Sequence, residues 1–422
     1  MKLIIENIGK IGKAEVEING ITVIAGENNT GKSTIGRSLF SVFNSFYNIN
    51  DQIMIERTRS IGNLTNIIYG NFDRSHLSYA RIEKNIQNIN DNLEFYKDNL
   101  KEIKRVIMTA VSEENNGFEK TIEDPITDEV ITRINDVIKI SDIDIFNSVL
   151  EKNLQAEFNG QINNIFSETC GKIQIQIRDE EMTVLVNTND KVSVDKKIDL
   201  HTEAVYIDDP FIFDESQSIF MHKNLRYRDH RTHLKLKLIT GNKDITVIDE
   251  IIANKKIEEI YKKISKVCDG EIVSNKQASF GYKKAGSEKI LDAKNLSTGL
   301  KTFVILKMLL LNGTIENNGT IILDEPEIHL HPEWQLLFAE LIVLLQKAFN
   351  MHILLNTHSP YFLNAIEVYS QNYEIAGKCK YYLTSMNGDV SNLEDVSNDL
   401  EKIYKKLARP LQTLENERYK NE

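Results

Sequence analysis

Cysteine is nearly absent from this chain. Only Cys170, Cys268 and Cys379 occur in 422 residues, far apart and without CxxC spacing. Neither a disulfide framework nor a cysteine zinc site is expected, and the thiols read as reduced, cytoplasmic ones. Long apolar runs are also lacking. The most apolar stretch, Thr302 to Leu311, is about ten residues long and contains Lys307, whereas a membrane span needs about 20. The opening MKLIIENIGKIGKAEVEING has no extended apolar core, so no secretory signal is expected. Nor is there a surplus of positive charge: 51 Lys and Arg face 62 Asp and Glu, for a net charge of −11. The surface as a whole does not attract nucleic acid or anionic lipid, although a local patch can. The sequence holds no long internal repeat and no low-complexity segment. What remains is ordinary globular composition, 41% hydrophobic and 27% charged, enough for a large core in two or three domains.

The apolar pattern alternates between strand and helix. Lys2–Ile5, Ala14–Ile18 and Ile21–Ala25 read as short strands, and a helix is expected from about Lys32, with Ile35, Leu39, Val42, Phe43 and Phe46 on one face. From Ile82 the apolar positions Ile86, Ile89, Leu93, Tyr96, Leu100, Ile103 and Ile107 step by four and three. That is a heptad seam, roughly 40 Å of helix if continuous. With a second periodic stretch, Ile126 to Phe166, it predicts an antiparallel helical hairpin; the alternative is an amphipathic helix packed on a globular body. Strands are expected at Lys172–Ile177, Thr183–Val186, Glu203–Ile207, Glu271–Val273, Ser279–Lys283, Thr320–Leu323, His352–Leu355 and Tyr381–Thr384. Helices are expected at Ile248–Val267, from Ser297 to about Asn312, at His331–Phe349, after Pro360, and in the charged tail up to Pro410. The class is α/β with a mixed, mostly parallel sheet.

Gly26-Glu27-Asn28-Asn29-Thr30-Gly31-Lys32-Ser33 fits G-x-x-x-x-G-K-[ST], between an expected strand and an expected helix. Glycines let the backbone turn its N–H groups toward phosphate oxygens, and the helix adds its positive end. Lys32 is placed for the β- and γ-phosphates and the Ser33 hydroxyl for Mg²⁺, with Thr34 closing the motif. Thr320–Leu323 delivers Asp324 and Glu325 at a strand's C-terminal end, where ligands of parallel sheets bind. Asp324 reads as a magnesium ligand and Glu325 as the group that deprotonates the attacking water. Asn295-Leu296-Ser297-Thr298-Gly299 opens a helix about 20 residues earlier, and His358 follows the next strand. Alone, an LSxG run is a common helix cap and a single histidine is more often structural. Order and spacing turn Ser297 and Gly299 into a second anion-binding surface and put His358 near the γ-phosphate.

Together these motifs resemble the ABC-ATPase head. The run Asp324-Glu325-Pro326-Glu327-Ile328-His329-Leu330-His331-Pro332, with Thr357-His358-Ser359-Pro360, is similar to the OLD-like and RecF-like branch, the AAA15 or AAA21 ATPases. The resemblance implies two ATPs held between two copies, Lys32, Ser33, Asp324 and Glu325 acting in cis, Ser297 and Gly299 in trans, and His358 as γ-phosphate sensor. It covers roughly residues 1–75, 165–214 and 270–385. Asn29 stands where the family often has glycine, but Asn tolerates a left-handed backbone. Leu300 departs from the transporter signature, and no Q-loop glutamine can be placed.

The implied organisation is a head in parts, 1–75, 167–214 and 271–390, with a helical insertion at 76–166, a basic helical segment at 215–270 and a tail at 391–422. About 38 residues follow Thr384, too few for a TOPRIM nuclease of about 100 residues. That points, by analogy with Septu and PARIS, to an anti-phage ATPase with a separate nuclease or toxin as effector. The alternative is a DNA-repair ATPase like RecF. Lys223, Arg226, Arg228, Arg231, Lys235, Lys237 and Lys243 lie in one segment, either a phosphate-binding patch or a solvated one balanced by acidic neighbours. Leu400, Ile403, Tyr404 and Leu407 form a tail stripe that fits a partner or the chain's own head equally well.

Overall fold

The computed structural model describes residues 1–72, 75, 77–111, 124–215, 227–241, 247–274 and 280–419. They form two compact units, a head of Met1–Tyr47 with Leu150–Glu422 and a helical unit of Asn48–Val149.

The head is built on eleven strands: β1 (Lys2–Ile8), β2 (Ile11–Glu17), β3 (Ile21–Ala25), β4 (Gly171–Ile177), β5 (Glu180–Val186), β6 (Val192–Val194), β7 (Ala204–Ile207), β11 (Thr320–Asp324), β12 (His352–Thr357), β13 (Cys379–Asn387) and β14 (Val390–Asp395). Their order is β6-β5-β4-β1-β2-β14-β13-β3-β12-β11-β7. One half is parallel: β13, β3, β12, β11 and β7 run alongside each other. Their sequences explain it, since ITVIA, AVYI and HILLNT are almost wholly buried, as strands covered on both faces must be. The other half is antiparallel, and β1, β2, β4 and β5 alternate buried with exposed positions. A separate sheet joins β8 (Glu271–Ser274), β9 (Phe280–Lys283) and β10 (Ile290–Asp292). The α/β mixed sheet is thus the expected one, with the continuous parallel run in the half that carries the motifs and one further parallel pair, β14 with β2, outside it.

Helices Lys32–Phe46, Thr298–Leu311, Pro332–Phe349 and Pro360–Asn372 adjoin these parallel strands in sequence. The segment expected as a separate basic region belongs to the head core: Leu234 and Leu238 of helix His230–Thr240, and Ile257, Ile260 and Ile264 of helix Val247–Ile264, lie in its main apolar cluster. The tail helix Glu401–Tyr419 runs on through Pro410. Its stripe packs on the chain's own head, with Ile403 fully buried, Leu400, Tyr404 and Leu407 against the core, and the Tyr404 hydroxyl donating to Glu367 Oε2 at 2.8 Å.

The insertion is helical, as expected, but Ile82–Ile107 is not one 40 Å helix. It breaks into Tyr79–Asp91, Leu93–Tyr96 and Leu100–Met108. Asp98 turns left-handed, with φ 60°, its N–H donating to Asn135 Oδ1 at 2.8 Å. The seam residues Ile86, Ile89, Tyr96, Ile103 and Ile107 fill a core with Ile61, Leu64 and Ile68 of helix Ile49–Tyr69 and Ile131 and Ile134 of helix Pro125–Lys139. Helix Ile49–Tyr69 therefore belongs to this unit, which starts at Asn48 rather than 76. Residues 150–166, expected in the insertion, lie in the head, where Asn164 N–H donates to Asn7 O. Among the described residues no helix is long and apolar enough to cross a membrane.

Candidate nucleotide site

The loop Gly26–Gly31 leaves the buried strand β3 and enters helix Lys32–Phe46. A side chain at Gly26 would collide with Thr384, because a Cβ there would sit 1.9 Å from Thr384 Oγ1. Thr384 in turn bonds Thr30 Oγ1 at 2.6 Å and Ala25 O at 3.3 Å, and the Thr30 hydroxyl reaches Glu27 O at 2.8 Å. β13 thus clamps the loop from below. Asn29 takes φ 64°, the left-handed turn its side chain tolerates. Lys32 is 4% exposed, and its ammonium donates to Gly26 O at 3.1 Å and Glu27 O at 2.9 Å. These are the acceptors that phosphate oxygens would join or replace.

β12 lies between β3 and β11, so the sheet order brings the acidic strand to the same edge. Asp324 is fixed from two sides: Tyr206 OH donates to its Oδ2 at 2.8 Å and Asn356 Nδ2 to its Oδ1 at 2.9 Å. Glu325 turns left-handed, φ 51°, and its N–H is tied to Asn356 O at 2.9 Å. Strain of this kind in a non-glycine residue accompanies functional sites. Glu325 Oε1 lies 3.2 Å from Lys32 Nζ and 3.2 Å from His358 Nδ1. The phosphate-loop lysine, the acidic strand end and the histidine after β12 therefore converge on one carboxylate. Behind them Glu327 is buried, one oxygen bonded to Thr357 Oγ1 and the other without a partner. Burial pushes its carboxyl above the usual range.

The donor set suits magnesium. Asp324 keeps lone pairs free beyond its two hydrogen bonds, and the Ser33 hydroxyl at the helix start has no protein partner among the described residues. Hard oxygen donors beside a phosphate loop are what this ion takes.

Ser297 and Gly299 do not join the phosphate loop of their own chain. Ser297 is exposed at the start of helix Thr298–Leu311, and its hydroxyl does not cap that helix. The helix packs on Pro210–Phe213, His230–Thr240, Val247–Ile264 and β8. Gly299 is required by close approach: a Cβ would lie 2.9 Å from His329 O and 3.2 Å from the Trp334 ring. Lys301 anchors the first turn on Asp214 at 2.7 Å.

Part of the basic segment is answered by carboxylates rather than open to phosphate. Arg231 meets Asp208 at 2.7 Å and also Asp209, Lys235 meets Glu215 at 3.8 Å, and Lys237 meets Glu203. Arg228 is half-buried, while His222, Lys223, Arg226 and Lys243 lie outside the described residues.

Sequence reasoning missed the groups behind Asp324. β7 ends Tyr206-Ile207-Asp208-Asp209-Pro210, the same apolar-strand, two-carboxylate, proline pattern as Leu323-Asp324-Glu325-Pro326, and that repetition was the available signal. His230 lies between Glu157 Oε1, 2.7 Å from Nδ1, and Asp208 Oδ2, 3.1 Å from Nε2. Burial works against its charge, but the two carboxylates outweigh it and raise the imidazole to about 9. Burial likewise opposes ionisation of Asp208, yet His230 and Arg231 pull it down to about 2. The raised His230 contributes stability fully below its ordinary value of 6.5 and loses it as pH rises through about 9. The depressed Asp208 contributes above 3.8 and loses it as pH falls toward about 2. A thermal midpoint followed from pH 7 to 10 is expected to drop more in wild type than in His230→Gln.

The AAA ATPase domain family matches residues 1–363. The chain belongs to that family. Within this AAA ATPase, 94 residues are 35% identical to the retron Vc95 probable ATPase of Vibrio cholerae serotype O1 biovar El Tor, covering 20% of this chain and 17% of the relative. A further 93-residue match, 34% identical, is to the retron Ec83 probable ATPase of Escherichia coli, covering 19% and 16%. The chain thus matches less than a fifth of the length of either curated relative. Among solved structures, an SMC head bound to the C-terminal winged-helix domain of ScpA aligns over 95% of this chain and 98% of its own, at 14% identity and TM-score 0.44. The SMC head domain from Thermotoga maritima aligns over 94% and 98%, at 12% identity and TM-score 0.37.

Proposed function

We propose that this AAA ATPase binds and hydrolyses ATP with Mg²⁺ between two copies of itself. The observation that carries the reading is Glu325, whose carboxylate lies 3.2 Å from both Lys32 and His358 at the mouth of the phosphate loop. Lys32 and the loop N–H groups hold the β- and γ-phosphates, Ser33 and Asp324 hold the metal, Glu325 takes the proton from the attacking water, and His358 senses the γ-phosphate. The metal's own contribution is to neutralise charge developing on the phosphate oxygens. Ser297, exposed at a helix start, and the buried Gly299 behind it serve the nucleotide of the second copy. Mixing two inactive variants tests this arrangement. Lys32→Ala and Ser297→Arg are each expected to be inactive alone. Mixed in equal amounts, they are expected to regain about a quarter of wild-type phosphate release, since half the dimers are mixed and each holds one intact site. No regain sinks the shared site.

In its biological setting we propose the ATPase as the sensor or scaffold of a cytoplasmic anti-phage system with a separate nuclease or toxin effector. The kinship with ATPases named as parts of retrons supports a place in a larger system. Co-purification of the untagged genetic neighbour with the tagged ATPase tests it; an ATPase that purifies and protects alone removes the effector. The RecF-like, DNA-binding reading is weakened by the carboxylates on Arg231, Lys235 and Lys237.

A further inference from the structure

His230 has no part in the phosphate chemistry, yet the structure surrounds it closely. Its side chain is 6% exposed, and its backbone N–H donates to Glu157 Oε2 at 2.8 Å. Both ring nitrogens face carboxylate oxygens, Glu157 on one side and Asp208 on the other. Nδ1 is hydrogen-bonded to Glu157 at 2.7 Å, while Nε2 meets Asp208 as an ion-pair contact without hydrogen-bond geometry, and the two carboxylates together favour the doubly protonated ring. Arg37 Nε is 3.6 Å from Glu157, and Arg231 completes the cluster on Asp208. A buried charged cluster of this size is not needed for stability, because apolar packing fills such space at least as well. The face of the His230 ring is stacked on Tyr206, with centroids 4.3 Å apart and planes at 26°. Phe40 sets its edge against both rings at 6.2 Å. Tyr206 is fully buried, and its hydroxyl donates to Asp324 Oδ2.

We propose that His230 is a positioning residue for Asp324, acting through the stacked ring of Tyr206. The proposal rests on the reading of Asp324 as the magnesium carboxylate. A cation on the face of a phenol draws electron density from the ring and strengthens its O–H as a donor. The ring held flat by His230 and edgewise by Phe40 also fixes the direction of that bond. Asp324 is thereby kept in one rotamer with its remaining lone pairs presented to the metal, the task of a group that orients a metal ligand.

The test compares equilibrium binding of ATP in Mg²⁺ and in EDTA; the ratio of the two affinities reads the metal contribution without turnover. Tyr206→Phe keeps the ring and loses the donor, and the ratio is expected to fall about tenfold. His230→Gln is expected to lower the ratio in the same direction while leaving the EDTA affinity unchanged. The double variant is expected to be no worse than Tyr206→Phe alone, because both act along one route. An additive double variant, or a His230→Gln ratio equal to wild type, overturns the proposal, since a merely structural cluster lowers the melting temperature without touching the ratio. If His230→Gln does not fold, Glu157→Gln takes its place: a lowered ratio supports the proposal and an unchanged one overturns it. Wild type that takes up no ATP in either buffer overturns the functional reading itself. Wild type that binds, with variants at its ratio, overturns this inference alone.

Discussion

Glu325→Gln is expected to lower steady-state phosphate release by at least about a hundredfold, the range that follows loss of a positioned general base, while ATP binding persists. Glu325 is one-fifth exposed, close to Lys32 and His358, and held in a left-handed turn by Asn356 O. Glutamine keeps the shape and the contact to Lys32 but cannot accept the water's proton. It also removes a negative charge from beside the γ-phosphate, so the ATP-bound dimer is expected to accumulate and to show as doubled mass by light scattering in ATP and Mg²⁺. Unchanged turnover would identify a nucleotide-locked scaffold that hydrolyses little.

Lys32→Ala is expected to act one step earlier, on binding. The ammonium is almost fully buried and already lies between two loop carbonyls and Glu325. Charge-assisted hydrogen bonds are worth about 1.5–3 kcal/mol each. Losing two to the phosphates is expected to weaken ATP about a hundredfold or more, read with a fluorescent ATP analogue. Arginine is not expected to rescue, because its planar fork does not fit a cradle shaped around a point charge. A Lys32→Ala variant with wild-type affinity would mean that the loop does not hold the triphosphate.

Much of this site was legible in the chain. An apolar run that ends in Gly26, or in Asp324-Glu325, has one physical meaning in a parallel sheet, and β3, β11 and β12 form where those runs lie. The supports were not legible, because they are neighbours only across the sheet. Thr384 reaches Thr30 over 354 residues and Tyr206 reaches Asp324 over 118, and no local pattern carries such a pairing. The seam from Ile82 to Ile107 misled for another reason. Steps of four and three describe any helix with one buried face, so short helices lining a bundle core carry the same spacing as a long arm. The breaks sit at Asn92 and Asp98, ordinary surface residues in sequence that tolerate non-helical backbone. The basic segment illustrates a third limit. Its carboxylate partners Glu203, Asp208, Asp209 and Glu215 stand just upstream, but counting one sign of charge overlooks them.

The contact at Gly299 joins two stretches to which the proposed dimer gives separate duties. The His329 carbonyl pressed against it belongs to the stretch that follows Glu325, so in the proposed dimer it would stand on the side of the chain's own nucleotide while the serine helix would answer to the neighbour's. With no side chain between them to absorb a shift, loss of a γ-phosphate on one side is expected to move the grip on the other. The coupling is expected to show as a sigmoidal dependence of rate on ATP.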